Sequence, residues 1–387
     1  MYYNTLSSLD LERNNNSLWS PNSHCGFLFN KPPKQVSDLI SSNVPMVSLV
    51  GSMSAYIDRL TDKEIESFIN TIGNEDEITP TTFEDEEIEA IIRSYVIIAA
   101  HLIHRPYFVY RRELPATIAR PLWYFSEYVG RPPSLTYASY ALANFTNPLT
   151  HRMSASEIQI AQTPSCTPDE EWFVAVHLSA ETAGGEVVQA INDIDEGLQE
   201  GDSAKIVKAI EAIESAMWFA NEVMPTIKER MAPDVFRDKI RPLLYGHDKI
   251  TFRGVPGEPT VTYVGETGAQ SGMMRAADLA LGTRHSESIQ QSMGHFLVCA
   301  PPPHREFFKR AASIGRCLNS LTKDINVLKA RRSALLAMAQ FRRTHLNVVV
   351  DYLVPDGKRL SERGTGGTNF TDWLQRIIDE TEADAVI

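Results

Sequence analysis

The stretch FRRTHLNVVVDYL, residues 341–353, is the centre of a longer helical pattern that runs from Lys323 to Val354. At helical spacing Met338, Phe341, His345, Val348 and Tyr352 fall on one stripe, which sets an imidazole in an apolar wall. Buried polar groups need a partner, so two readings of His345 stand side by side. One is a core histidine bonded to a carbonyl oxygen. The other is a ligand to a metal or a haem iron, since a neutral imidazole in an apolar wall is what the proximal side of a five-coordinate haem requires. Arg342 precedes His345 and is read either as a salt-bridge partner or as a group facing an anion such as a haem propionate.

Working outward, a chain of 387 residues can bury a large core. Its formal charge of -12 argues against a nucleic-acid or anionic-membrane surface, because both need a basic footprint to displace counterions. Cys25, Cys166, Cys299 and Cys317 are widely spaced, with no C-x-x-C pair, and so suggest neither a zinc site nor a disulfide framework. The start MYYNTLSSLDLERNNNS has no basic and apolar leader pattern, and the run from Tyr95 to Ile103 is too short to span a bilayer. A cytoplasmic location with reduced thiols is the expectation.

Taken in order, residues 1 to 30 are rich in Asn, Ser and Pro without a sustained period and read as a poorly ordered arm. Short helices follow to about Pro115, including one over Glu84 to Ile103; His101 and His104 share a face there, with no third ligand nearby. Two short helices follow, and Tyr137, Tyr140 and Phe145 line one side of the second, either as core aromatics or as the wall of a flat ring system. Glu170 to Gln199 reads as one long helix whose inner face holds Phe173, His177, Ala180 and Gly184. Gly184 and Gly185 would each cost about 1 kcal/mol relative to Ala inside a helix, which implies close packing against a neighbour. A second long helix, Asp202 to Arg230, doubles back after Gly201. In PDVFRDKIRPLLYG, Phe236 sits on a buried edge and Arg241 meets Pro242 at an expected bend. A glycine- and proline-rich loop, Thr251 to Gln270, is suited to lay backbone donors against a ligand. Gly364, Gly366 and Gly367 lack the P-loop pattern and read as a flexible loop that closes over a pocket, with Thr365 and Thr368 offering hydroxyls.

Three blocks, IARPLWYFSEYVGRPPSLTYASYALANF, YVGETGAQS and RRTHLNVVVDYL followed by RGTGGTNF, together resemble the indoleamine 2,3-dioxygenase family. The likeness runs from about Pro115 to Trp373 and is weaker before it. It implies an all-α fold, with a smaller, mostly helical amino-terminal domain over residues 1–115 and a large helical haem-binding catalytic domain over 116–387. It further implies haem b as cofactor, dioxygen and L-tryptophan or a related indole as partners, and insertion of dioxygen across the indole C2–C3 bond to give N-formylkynurenine. The alternative is a haem enzyme of the same superfamily acting on another indole.

Carried over by position, the resemblance implies that His345 is the proximal iron ligand and Arg342 a propionate partner. Phe236 would pack on the indole and Arg241 hold the substrate carboxylate. Tyr137 and Tyr140 would line the distal pocket, Gly265, Gly268 and Ala269 the haem edge, and Gly367 with Thr368 the substrate amino-acid group. The family often has a serine where His177 stands, so His177 is expected either to bond the indole N–H or to mark a changed reaction. Arg237 likewise replaces a second aromatic.

Overall fold

The computed structural model describes residues 17–72, 79–321, 324–354, 364–365 and 370–386. The fold is mostly helical, as expected, with one small sheet. That sheet pairs Glu113–Leu114 in parallel with Ile250–Phe252, which pairs antiparallel with Thr260–Val261.

The helix carrying His345 spans Ile325–Leu353. Its start is set by Asp324, whose carboxylate accepts from the backbone N–H groups of Asn326 and Val327 at 3.0 and 3.2 Å and so satisfies two otherwise orphaned donors. Its buried stripe includes Ala334, Met338, Arg342, Val348 and Tyr352. This helix packs along Ser203–Val223 on one side and Phe370–Asp384 on the other. Asp202 caps Ser203–Val223 in the same manner as Asp324, and Gly201 turns the chain in the left-handed region, giving the expected antiparallel hairpin with Gly184–Glu200.

Two expectations are corrected. The single helix read over Glu170 to Gln199 is two helices, Pro168–Glu181 and Gly184–Glu200, with a break at Thr182 and Ala183. The break brings Gly185 under the chain near Ser23, where an added Cβ would stand 2.5 Å from the Ser23 carbonyl oxygen; an added Cβ at Gly26 would stand 2.5 Å from the Gly184 backbone. The close neighbour implied by the glycines is therefore backbone from the amino-terminal segment. That segment is the second correction. Its described part is anchored in the core at both ends: Trp19, Phe27, Leu28 and Phe29 are buried, with Ser23 and His24 exposed between them. The Trp19 indole N–H donates to Glu89 at 2.8 Å, and Arg131 donates to the same buried carboxylate at 2.6 Å. A desolvated ion pair with this further donor locks the segment in place.

The helix Asp85–His104 is buried along most of its length. Its two histidines are both satisfied by the main chain. The His101 Nε2–H donates to the carbonyl oxygen of Pro164 at 2.9 Å, just ahead of the Pro168–Glu181 helix, and the His104 Nε2–H to that of Tyr245 at 2.8 Å, four residues past Arg241. Among the described residues neither belongs to a cluster of three or more side chains that could hold a metal ion.

No described helix is long and apolar enough to cross a membrane.

Candidate active site

One large cavity opens between the His345 helix and the Pro168–Glu181 helix. The His345 helix presents Phe341, Arg342, His345, Val348 and Tyr352 to it, a stripe dictated by the 3.6-residue period. Opposite stand Phe173, His177, Ala180 and Glu181, again at offsets of three and four. Tyr137 closes one end. Phe236, Arg241 and Leu244 form a side wall, and the loop from Glu266 to Ser271 forms another.

His345 is partly buried, and its side chain lines this cavity. It makes no hydrogen bond to any described residue. Burial, and then the nearness of a second imidazole at His177, pull its pKa down to about 4, so it is neutral at physiological pH. Among the described residues no cluster of three or more His, Cys, Asp or Glu side chains stands ready to hold a bare metal ion. A lone neutral imidazole over an aromatic-walled space suits an iron porphyrin, whose in-plane donors come with the group. The residues present therefore fit haem.

Across the cavity His177 is 9% exposed, and its Nδ1–H donates to the Phe173 carbonyl oxygen at 2.8 Å. That bond fixes the neutral tautomer and leaves Nε2 as an acceptor. Burial lowers its pKa and keeps it uncharged. The ring lies 4.4 Å from that of Phe173 and 6.0 Å from that of Tyr137, centroid to centroid. Phe173 also leans on Phe236 at 5.4 Å, and Phe236 meets Tyr352 edge-on at 5.8 Å. These rings make a slot for a flat aromatic molecule.

Phe236 and Arg241 owe their placement to irregular backbone. Phe236–Ile240 is a π-helical turn and Arg241–Leu244 a 3-10 turn, so the two side chains come to the same wall although they are five residues apart. Arg241 keeps helical backbone angles before Pro242, and the irregularity is carried by the change in helix type rather than by an extended residue. Its guanidinium is buried, 5.2 Å over the Tyr245 ring. Arg237 does not reach the cavity.

In the corner below His345, Arg342 donates to Asp278 at 2.8 Å and to the Thr381 hydroxyl. Burial alone would raise the Asp278 carboxyl, but Arg342 and then His285 outweigh it and hold it far below the carboxylate range. Arg342 thus combines both sequence readings: it is half of an internal ion pair and still lines the cavity. Arg275 lines the same corner, 3.7 Å from Asp278.

Two site expectations are corrected by position. Tyr140 does not line the cavity; it is buried behind Phe173, and its hydroxyl donates to Glu170 at 2.8 Å. Gly265 does not line it either. An added Cβ there would lie 2.1 Å from the Leu244 carbonyl oxygen, so the glycine serves the tight crossing of two backbone segments. Gly268 and Ala269 do face the cavity, with Gly364 and Thr365. Gly367 and Thr368 lie outside the described residues. Sequence reasoning passes over Phe173 as a wall residue, and over Glu181, Glu266, Arg275 and Asp278. The i, i+4 spacing of Phe173 with His177 carries the first signal; the acids leave none, because a carboxylate in a polar loop or on a helix reads as solvated.

The cavity thus joins an imidazole that has no hydrogen-bond partner among the described residues, a run of aromatic rings and a buried arginine, and the class of protein, an oxidoreductase of the dioxygenase type, comes from the family match. The chain belongs to the indoleamine 2,3-dioxygenase family, whose profile matches residues 63–384. It is 29% identical over 303 residues to an indoleamine 2,3-dioxygenase of Penicillium citrinum, covering 70% of this chain and 68% of the relative. It is 27% identical over 287 residues to a myoglobin of Haliotis madaka, covering 70% and 74%. A 6-hydroxytryptophan 2,3-dioxygenase of Fusarium equiseti is 24% identical over 302 residues, covering 69% and 74%.

Proposed function

We propose that the cavity holds haem b, with His345 as its protein ligand, and that the chain catalyses insertion of both atoms of dioxygen across the indole C2–C3 bond of L-tryptophan to give N-formylkynurenine. The observation that carries this reading is His345 itself, neutral, partly buried, without a hydrogen-bond partner among the described residues, and lining the same aromatic-walled cavity as His177. When bound, haem supplies the dioxygen chemistry. The protein binds and orients the substrate and excludes water.

Arg241 is the wall residue suited to the substrate carboxylate, and its charged, planar fork favours a bidentate bond. Phe236, with Phe173 leaning against it, forms the aromatic wall on which the indole packs. The bare Nε2 of His177 accepts the indole N–H, which turns the C2–C3 edge toward the centre of the cavity. No general base is needed on this account. Arg342 and Arg275 face the anionic edge of haem. The four cysteines are all free thiols, which suits a reducing, cytoplasmic setting.

The test is product identification by mass spectrometry under labelled dioxygen, supported by an optical spectrum. Two labelled atoms in N-formylkynurenine support the proposal. A Soret band with reversible oxygen binding and no product from any indole would leave an oxygen carrier instead, and the absence of any Soret band after haem reconstitution removes both.

A further inference from the structure

Two buried glutamates, Glu181 and Glu266, line the cavity and a third, Glu170, lies outside its lining; Glu181 is bonded through one oxygen only, and Glu266 has no side-chain hydrogen bond among the described residues. Glu170 accepts from the Tyr140 hydroxyl at 2.8 Å and from the Ser165 N–H at 2.6 Å. Glu181 accepts from the Ser271 hydroxyl and, at 3.4 Å, from that of Tyr137. Glu266 is 3% exposed and lines the cavity, yet its carboxyl group has no hydrogen-bond partner among the described residues. Its backbone is held firmly: the N–H donates to the Leu244 carbonyl oxygen at 3.1 Å, and the next residue, Thr267, caps the Gly268–Gln270 turn. Such a group, desolvated and unpaired, needs a partner from the cavity side.

The location of that partner follows from the neighbours. The Gln270 side chain ties the Glu266 loop to the tyrosine end, accepting from the Tyr137 backbone N–H at 2.8 Å and donating to the Gly265 carbonyl oxygen at 2.7 Å; in keeping with this, burial and then Glu181 and Glu266 raise the Tyr137 phenol. Burial, then Glu170, push it up to about 8, which leaves it largely protonated at neutral pH and able both to donate and to accept. With the amino-acid end of the substrate at Arg241, the tyrosine end receives the benzene half of the indole.

We propose that Glu266 is a specificity residue that hydrogen-bonds a polar substituent on the benzene ring of the substrate, so that this site selects ring-hydroxylated indole amino acids over unsubstituted tryptophan. The inference rests on the indole-binding reading above. An unsubstituted ring would seal the carboxyl group into the cavity without a partner, whereas a ring hydroxyl supplies one; a site built to bond a substrate hydroxyl discriminates by about tenfold or much more.

The experiment is a spectral titration of the haem-loaded protein with L-tryptophan and its 4-, 5-, 6- and 7-hydroxy forms, following the Soret band, with wild type, Glu266→Gln and Glu266→Leu. At least one hydroxy isomer is expected to bind wild type about tenfold or more tightly than tryptophan. That preference persists in part in Glu266→Gln and is lost in Glu266→Leu. Equal affinities in wild type, or a preference unchanged in Glu266→Leu with a normal far-ultraviolet spectrum, overturns the proposal. So does a loss in Glu266→Leu that is common to all α-amino substrates and absent for indole-3-propionate, since that pattern assigns the carboxylate to the ammonium group. Affinity is read without turnover, so binding preference with no dioxygenation would count against the reaction and not against Glu266.

Discussion

The Nδ1–H of His177 donates to the carbonyl oxygen of Phe173, one turn earlier on the same helix, at 2.8 Å. The bond does two things at once. It satisfies a group that burial would otherwise leave costly, and it presents the opposite nitrogen, unprotonated, to the cavity. Replacement of His177 by Ala removes that acceptor but touches nothing that holds haem. The expected result is a fall of about tenfold in kcat/KM, the net worth of one hydrogen bond, with an unchanged Soret band. A loss of haem in this variant would show that His177 has a structural role instead.

His345→Ala takes away the ligand while leaving the surrounding stripe of Met338, Val348 and Tyr352 intact. The purified variant is expected to keep its helical circular dichroism and lose its haem absorbance after desalting. Imidazole added to the buffer should restore part of the absorbance. Full haem retention without imidazole counts against His345 as the ligand.

For Arg241→Ala, a charge-assisted bond to carboxylate worth about 1.5–3 kcal/mol is at stake, so KM for an indole amino acid should rise roughly 10- to 100-fold. The same variant should bind an indole lacking the carboxylate about as well as wild type. Equal weakening of both ligands would mean that the arginine shapes the wall without contacting the substrate.

The raised pKa of Glu266 has a sign that can be checked. The unfolded carboxyl releases its proton near 4.5 and the folded one only near 8, so its favourable contribution is present below about 4.5 and is lost as pH rises through about 8. The buried, lowered histidines such as His247, held down to about 3, act in the opposite direction: their contribution is present above 6.5 and lost as pH falls. Comparing Glu266→Gln with wild type isolates the first effect. Melting temperatures taken at about pH 5.5, 7 and 8.5 should show wild type losing roughly 1–4 °C relative to the variant toward the alkaline end. Parallel curves would mean that the carboxyl titrates normally.

Gly185→Ala places a Cβ 2.5 Å from the Ser23 carbonyl oxygen and should destabilise the protein by about 1–3 kcal/mol through overpacking. Chemical denaturation measures it. A neutral result would imply that the segment near Ser23 can move aside at little cost.

How much of this can be read from the sequence differs by element. The His345 stripe is legible because helix period and burial agree along it, and the Asp202 and Asp324 caps fix where two of the long helices begin. The break at Thr182 and Ala183 is not, since a helical pattern continues across it and the reason for the break lies in the approach of Gly26, more than 150 residues earlier. Trp19 and Phe27 to Phe29 are too few to set a period, so their burial depends on partners such as Glu89, Arg131 and Phe308 that no local reading connects. At the site, His177, Phe236 and Arg241 emerge from the sequence as separate candidates, and the cavity brings them together. Spacing from Tyr137 draws in Tyr140, but the Ala138–Leu142 turn is π-helical and sends its hydroxyl toward Glu170. Glu266 is invisible in the sequence because its significance is the lack of a partner among the described residues, a property of the assembled fold.

The two imidazole-to-carbonyl bonds made by the Asp85–His104 helix, one to Pro164 and one to Tyr245, act as tie-rods across the molecule. One braces the approach to the wall that carries Phe173 and His177, and the other the exit from the wall that carries Arg241. Both sides of the aromatic slot are thus hung from a single strut belonging to the amino-terminal half. Engineering that trims this half away, or swaps it for that of a relative, will alter the width of the slot even though no substituted residue borders it.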